Sequence, residues 1–101
     1  MRKKKILILK NDRSGDLFIS LKAIYNIIDL HQNDEIHLFL SHLNKSFSYL
    51  FKKENIKKEY FNYRLNILEK LIILKKIIIN KYEYIYILSP KNFYYFLPFF
   101  F

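Results

Sequence analysis

The feature that most constrains the fold is an apolar run followed by a polar loop and a helical pattern, in residues 6–30. Residues 6–9 (ILIL) are all apolar and lie between lysines, which is typical of a strand buried on both faces of a parallel sheet. Residues 10–15 are polar and predict a loop. From Asp16 onward, apolar residues recur at the spacing of one helix face, at Leu17, Leu21, Ile24 and Ile28.

The same strand–helix unit recurs along the chain. Residues 35–40 alternate between two faces, with Ile36, Leu38 and Leu40 on one face and His37 and Phe39 on the other. Further strands are predicted at 56–61 and 84–88, with helices at 44–53 and 66–80. Strands alternating with helices, joined by right-handed crossovers, predict an α/β fold with a Rossmann-like parallel sheet and flanking helices.

Two finer predictions concern the second half of the chain. The helix at 66–80 is predicted to have a broad apolar face that includes Ile67, Leu71, Leu74 and Ile78. A further helix is predicted to begin at Lys91, where Pro98 would interrupt it.

Length and composition exclude several classes of protein. A chain of 101 residues predicts one small domain, and 51% hydrophobic residues argue against intrinsic disorder. The absence of cysteine excludes disulfides and thiolate chemistry. No apolar run approaches the roughly 20 residues of a membrane-spanning helix, and the run at 6–9 is too short for a signal peptide. These observations predict a cytoplasmic protein.

The net charge of +9 has two interpretations that stay open. It could indicate an anionic partner, such as nucleic acid, an acidic membrane surface or a phosphorylated substrate. It could also reflect the codon bias of an AT-rich genome, which is favoured because the lysines are scattered. The local basic cluster could contact anionic lipid, but a solvated edge is the simpler interpretation; its members are Lys52, Lys53, Lys57 and Lys58.

The loop at residues 10–15 is the predicted site of any chemistry, because ligands of open α/β sheets bind outside the carboxyl ends of the strands. A helix beginning at Asp16 would turn its free N–H groups and positive dipole end toward that loop, which favours an anion. Gly15 would allow close approach or a positive φ. Asp16 could act as a general base, or it could simply cap the helix.

Other site patterns are weak. The sequence contains neither G-x-G-x-x-G nor a P-loop, so it does not support a dinucleotide or P-loop enzyme. His31, His37 and His42 are spaced by six and five residues, which suits no helical metal pair, and no metal site is predicted.

The opening stretch ILILKNDRSGDLFISLKAIYNI resembles the N-terminus of glycosyltransferase family 9, the lipopolysaccharide heptosyltransferases. The most specific part of the resemblance is the pattern N-D-R-x-G-D. The segments DEIHLFLSHLN and KYEYIYILSP also resemble that family in order and spacing, so the resemblance covers nearly the whole chain. The matching positions in the first segment are Asn11, Asp12, Arg13, Gly15, Asp16, Leu17 and Leu21.

This resemblance implies the N-terminal half of a two-domain GT-B enzyme. Such an enzyme transfers a heptose or related sugar from a nucleotide donor such as ADP-heptose to a lipopolysaccharide core acceptor, with inversion and without a metal or other cofactor. By the same resemblance Asp16 is the base that deprotonates the acceptor hydroxyl, and Lys10 and Arg13 meet the acceptor phosphates. The residues implied in acceptor binding are Lys10, Asn11, Asp12, Arg13, Ser14 and Gly15.

The resemblance also implies that residues 1–101 form a single, incomplete acceptor-binding domain, because the nucleotide-sugar domain has no counterpart in this sequence. The apolar segment from Tyr94 to Phe101 is then expected to be covered by the missing domain or by a partner chain. The predicted location is the cytoplasm, with peripheral contact at the inner face of the inner membrane.

Two alternatives remain beside this interpretation. The first is a non-catalytic basic α/β module that binds an anionic polymer, nucleic acid or a membrane surface. The second is a truncated product without activity. Sequence-specific nucleic-acid binding is not expected.

Overall fold

The computed structural model describes residues 4–11 and 14–89, except for the side chain of residue 14. The helix predicted from Lys91 and the apolar segment from Tyr94 to Phe101 lie outside the described residues. In chain order the elements are β1 (Lys5–Lys10), α1 (Ser14–Leu30), β2 (Glu35–Ser41), a 3-10 helix (His42–Leu50), β3 (Ile56–Phe61), α2 (Ile67–Asn80) and β4 (Tyr84–Ile87).

The four strands form one parallel sheet with the order β3-β2-β1-β4. In the register of the sheet, Ile6 lies between Ile36 of β2 and Tyr84 of β4. The predicted α/β class and the Rossmann-like parallel sheet with flanking helices are therefore confirmed. The predicted strand at 56–61 has the bounds of β3. β1 is one residue longer than predicted at both ends, β2 is one residue longer at its end, and β4 is one residue shorter at its end.

Two apolar clusters lie on opposite faces of the sheet. On one face, alternate residues of β1 and β2 pack against α1 and the 3-10 helix, with Ile6, Ile8, Leu38 and Ile24 fully buried. On the other face, the intervening residues pack against α2. This second cluster contains Leu7, Leu9, Phe39, Phe61, Ile73 and Ile77. The alternation predicted for residues 35–40 is thus confirmed.

The direction of the crossovers explains why the helices are divided between the two faces. The chain runs from β1 to β2 to β3 in one direction across the sheet, and it then returns past β1 to β4. Because parallel crossovers are right-handed, reversing the direction moves the connecting helix to the opposite face. α1 and the 3-10 helix therefore share one face, and α2 lies on the other.

The segment after β2 differs from the predicted helix at 44–53. It forms a 3-10 helix that begins at His42 and ends at Leu50. The N–H of Phe51 donates to the carbonyl oxygen of Ser48, three residues earlier, and the Phe51 side chain is buried in the core. The tight 3-10 turn ends the short connection between β2 and β3, and it directs the Phe51 side chain into the core.

The ends of α2 are defined by local hydrogen bonds. At its start, Asn66 Oδ1 accepts from Glu69 N at 2.7 Å, and Asn66 N donates to Glu69 Oε1 at 3.3 Å, which forms a capping box. At its end, Lys81 adopts a left-handed conformation (φ 51°), and its N–H donates to the carbonyl oxygen of Ile77.

The predicted apolar face of α2 exists, but it is not the face that packs against the sheet. Ile73 and Ile77 contact the sheet, whereas Ile67, Leu71 and Ile78 are 78%, 58% and 58% exposed. Leu74 is partly buried at the boundary. α2 carries aliphatic residues almost all round, so the helical period alone could not select the buried face.

Neither helix among the described residues has both the length and the apolarity needed to cross a membrane.

Candidate functional site at the carboxyl edge of the sheet

The carboxyl ends of β1 and β4 lie side by side where the order of the strands changes direction. β1 leads to α1 on one face, whereas β4 is reached from α2 on the other face. The two strand ends are tied together by a hydrogen bond of 3.0 Å from Leu88 N to the carbonyl oxygen of Leu9. Ligands of open α/β sheets bind outside such a switch point, so this edge is the candidate site.

Lys10 is the last residue of β1 and lies at this carboxyl edge. It is only 4% exposed, and its Nζ donates to the carbonyl oxygen of Leu88 at 3.0 Å. The ammonium group therefore bridges the ends of β1 and β4, and it places a positive charge at the switch point. This charge would attract an anionic group that enters the crevice.

Asn11 is fully buried, and its Nδ2 donates to the carbonyl oxygen of Asn62 at 3.3 Å. Asn62 follows β3, and both its backbone N–H and its side-chain Nδ2 donate to the Glu69 carboxylate, at 2.7 and 2.9 Å. Glu69 belongs to the capping box of α2. Asn11 thus links the loop after β1, through Asn62, to the start of α2. Its role is to hold these segments in place at the carboxyl edge of the sheet.

α1 begins at Ser14, two residues before the predicted start at Asp16. Gly15 therefore lies in the first turn of the helix and does not have a positive φ, so that part of the prediction is wrong. A Cβ built on Gly15 would meet no atom of the described residues within 4 Å. The other predicted use of this glycine, the close approach of a ligand, stays a prediction.

Asp16 is exposed on the first turn of α1. Because it is the third residue of the helix, it does not occupy the capping position before the first turn, and the alternative that it caps the helix is wrong. An acidic side chain in the first turn is stabilised by the helix dipole and stays accessible to solvent. This position leaves the carboxylate available for a proton transfer.

The remaining predicted residues are only partly described. Asp12 and Arg13 lie outside the described residues, and Ser14 is described only as the first residue of α1. Lys10, Asn11, Gly15 and Asp16 are therefore the predicted site residues for which the structure gives positions.

Three buried polar residues at or near this edge were not predicted. Ser41 ends β2 and Asn44 lies in the following 3-10 helix, and both are fully buried. Ser89 follows β4, is 1% exposed, and its Oγ has no hydrogen-bond partner among the described residues. Burying a hydroxyl without a partner costs about 1–3 kcal/mol, so the stability of the fold does not explain why a polar residue stands at Ser89. A polar residue directly after an apolar strand was the signal available in the sequence for Ser41 and Ser89.

The histidines lie away from this edge. His31 Nδ1 pairs with Asp34 Oδ2 at 2.9 Å, and His37 Nε2 pairs with Glu35 Oε2 at 2.7 Å, both near the amino ends of the strands. The hydrogen bond from His37 lowers the pKa of Glu35, and that from His31 lowers the pKa of Asp34. Within residues 4–11 and 14–89, no group of three or more His, Asp and Glu side chains could hold a metal ion.

Three of the four lysines in the predicted basic cluster have partners. Lys57 pairs with Glu35 at 3.2 Å, and Lys53 lies 4.0 Å from Asp29. Lys58 Nζ donates to the carbonyl oxygen of Ser48 at 3.1 Å. These three lysines are therefore engaged in contacts within the chain, which argues against a continuous anion-binding patch.

Comparison with known proteins adds no relative to this description. No protein-family model, no curated protein and no solved structure matches the chain. The architecture therefore defines the class: an α/β chain with a Rossmann-like, four-stranded parallel sheet and a candidate site at its carboxyl edge.

Proposed function

We propose that this chain is the acceptor-binding half of a glycosyltransferase that resembles the lipopolysaccharide heptosyltransferases. The observation that carries the proposal is the exposed Asp16 carboxylate on the first turn of α1, next to the switch point between β1 and β4. The acceptor would be a lipopolysaccharide core or another anionic glycan. A nucleotide sugar such as ADP-heptose would be held by a second domain.

The chemistry assigned to the chain is one proton transfer and the binding of charge. The Asp16 carboxylate takes the proton of an acceptor hydroxyl, and that oxygen attacks the anomeric carbon of the donor sugar. The nucleotide diphosphate leaves with the electron pair of the broken bond, so the anomeric configuration inverts. Positioned general bases of this kind contribute about 10²–10⁴-fold to a rate.

Charge at the edge supports an anionic acceptor. The Lys10 ammonium lies between the ends of β1 and β4, and the N-terminus of α1 carries a partial positive charge. The open space beside Gly15 gives an acceptor group access to the backbone N–H groups of the first helical turn. Peripheral contact with the inner membrane would bring the chain to a lipid-linked acceptor.

Acceptor binding is tested on the chain itself by NMR titration with a phosphorylated lipopolysaccharide core oligosaccharide. We expect the largest amide shifts at Gly15, Asp16 and Ser89. Shifts confined to the lysines near the 3-10 helix, lost steeply as salt rises, would instead favour the basic module for an anionic polymer.

The role of Asp16 is tested in the protein that contains the donor domain. Asp16→Asn should leave acceptor affinity nearly unchanged and should lower the rate of sugar transfer by about 10²–10⁴-fold. Asp29→Asn is the matched control, because Asp29 is an exposed aspartate in the last turn of the same helix. Transfer that survives Asp16→Asn would overturn the assignment.

A further inference from the structure

The side of α2 that is turned away from the sheet is almost entirely aliphatic. Ile73 and Ile77 are buried against the sheet, and each helical residue lies about 100° further round the axis. The opposite side therefore has Lys75 near its centre and aliphatic residues around it, which are from 37% to 78% exposed. Lys75 and these residues are the outer face of α2, whose aliphatic members are Ile67, Leu68, Leu71, Ile72, Ile78 and Ile79.

The outer face of α2 offers a partner only apolar surface and one positive charge. Its aliphatic side chains have no hydrogen-bonding atoms, and Lys75 is exposed. The nearby carboxylates bind other groups, since Glu69 accepts from Asn62 Nδ2 at 2.9 Å and Glu59 of β3 binds Lys76 Nζ at 2.7 Å. Among the described residues, no carboxylate pairs with Lys75.

We propose that the outer face of α2 binds the surface of a membrane that contains anionic phospholipids. The aliphatic side chains of an interfacial helix enter the boundary between headgroups and acyl chains, and a lysine among them extends its ammonium group to the lipid phosphates. Neither contact needs the directional hydrogen bonds that the outer face lacks. The net charge of +9 adds a long-range attraction to the same surface.

Other occupants fit the outer face less well. A second copy packed on it would bring Lys75 against a surface that holds another Lys75 and no carboxylate, and like charges across an interface cost affinity. Interfaces between proteins are enriched in Tyr, Trp and Arg, and the outer face contains none of these three residue types. Its charge and composition therefore favour anionic lipid.

Docking through α2 would also set the position of the candidate site. α2 begins after the carboxyl end of β3, so its Ile67 end lies at the carboxyl edge of the sheet. The hydrogen bonds from Asn11 to Asn62 and from Asn62 to Glu69 hold the loop after β1 near this end. A helix that lies in the membrane plane would therefore bring the candidate site next to the lipid headgroups. This use of docking rests on the proposed function, whereas docking itself is tested without any sugar.

Vesicle binding by the full chain tests the outer face directly. Binding is measured by co-sedimentation with vesicles of phosphatidylcholine and phosphatidylglycerol in equal parts, and with vesicles of phosphatidylcholine alone. The test variant is Leu71→Gln with Ile79→Gln. The control is Ile19→Gln with Leu30→Gln, because these two residues are 83% and 73% exposed on α1, which lies on the other face of the sheet.

The α2 variant should bind the mixed vesicles about tenfold or more weakly than the unmodified chain, because two aliphatic side chains no longer enter the membrane. The α1 control should lose less than about twofold, because its residues lie outside the docking surface. Circular dichroism checks that each variant is folded.

A second variant tests the charge and keeps the test open if the α2 variant does not fold. Lys75→Gln should weaken binding by about fivefold on the mixed vesicles and leave binding to phosphatidylcholine alone unchanged. Its control is Lys22→Gln, because Lys22 is an exposed lysine of α1.

Absence of binding to the mixed vesicles, or equal losses in the α1 and α2 variants, would overturn the proposal. Binding that survives the α2 variant but is lost as salt rises would instead place the contact on the scattered lysines. A dimer in light scattering that the α2 variant converts to a monomer, without vesicle binding, would place a second copy on the outer face. These assays contain no acceptor and no donor sugar, so a negative result leaves the proposed sugar transfer to its own test.

Discussion

Near the amino ends of the strands two histidines each join two other side chains. Beside the carboxyl end of β1, by contrast, the side chains of Lys10 and Asn11 donate to backbone carbonyls, and Ser89 Oγ has no partner among the described residues. Near the amino ends, His31 bridges Asp34 and the Tyr86 hydroxyl at 2.9 and 2.8 Å. His37 bridges Glu35 and the Tyr82 hydroxyl in the same way, at 2.7 and 2.5 Å.

The difference indicates a division of labour between the two edges. Networks of side chains hold the turns and β4, an edge strand within the described part of the chain, in place, and their members gain stability from one another. Groups that serve a ligand are instead kept accessible or incompletely paired, at a cost in stability. The four predictions below test this contrast, from the largest expected effect to the smallest.

Replacing His31 should have the largest effect. His31→Ala removes both hydrogen bonds, leaves the Tyr86 hydroxyl without its partner and opens a cavity, so the free energy of unfolding should fall by about 3 kcal/mol. At the other edge, Asp16→Asn should change it by less than about 0.5 kcal/mol. Urea denaturation followed by circular dichroism measures both, and similar losses would contradict the contrast.

Removing one hydroxyl from the second network should have a smaller effect. Tyr82→Phe leaves His37 Nδ1 without its partner, and the free energy of unfolding should fall by about 1–2 kcal/mol. In a domain of this size each kcal/mol lowers Tm by about 4–8 °C. Tyr49→Phe is the control, since Tyr49 is 57% exposed; equal shifts in the two variants would show that the Tyr82 contact does not contribute.

At the carboxyl edge, removing a polar group is expected to leave the free energy of unfolding unchanged or to raise it. Ser89→Ala removes a buried hydroxyl that has no hydrogen-bond partner among the described residues, so the free energy of unfolding should stay unchanged or rise by up to about 1 kcal/mol. Ser46→Ala, at an exposed position, gives the baseline for a serine substitution. A clear loss of stability in Ser89→Ala would mean that the hydroxyl contributes to the fold.

The smallest effect concerns the loss of stability at acid pH. The hydrogen bond from His37, helped by Lys57, lowers the pKa of Glu35 below its ordinary value of 4.5. The unfolded chain therefore binds more protons here, so this contribution to stability is present above the ordinary pKa and is lost as pH falls through the lowered one. Urea denaturation from about pH 6 to about pH 3 should show a flatter acid decline in Glu35→Gln. An unchanged decline would show that another carboxylate dominates.

Much of the sheet could be predicted from local pattern. The apolar run of β1 and the alternation in β2 reflect burial on two faces of the sheet, and both patterns can be read from the sequence alone. The buried face of α2 could not be predicted, because Ile73 and Ile67 are chemically alike and only packing against the sheet distinguishes them.

The candidate site was predictable only in part. Parallel sheets bring the loop after β1 to the carboxyl edge, so the place of Asp16 follows from the fold class. The contact of Lys10 with Leu88 joins residues 78 positions apart, and the burial of Ser89 depends on how β4 packs. Such distant contacts leave no local signal in a single sequence.

The central position of β1 has a consequence for synthesis of the chain. β1 is made first, yet one of its two sides pairs with β4, which is about 78 residues later. At about 5–20 residues per second a ribosome needs about 4–16 s to add those residues. During that interval one hydrogen-bonding side of the most buried strand has no native partner, so that side is exposed to non-native pairing until β4 is made, and faster elongation shortens the exposure.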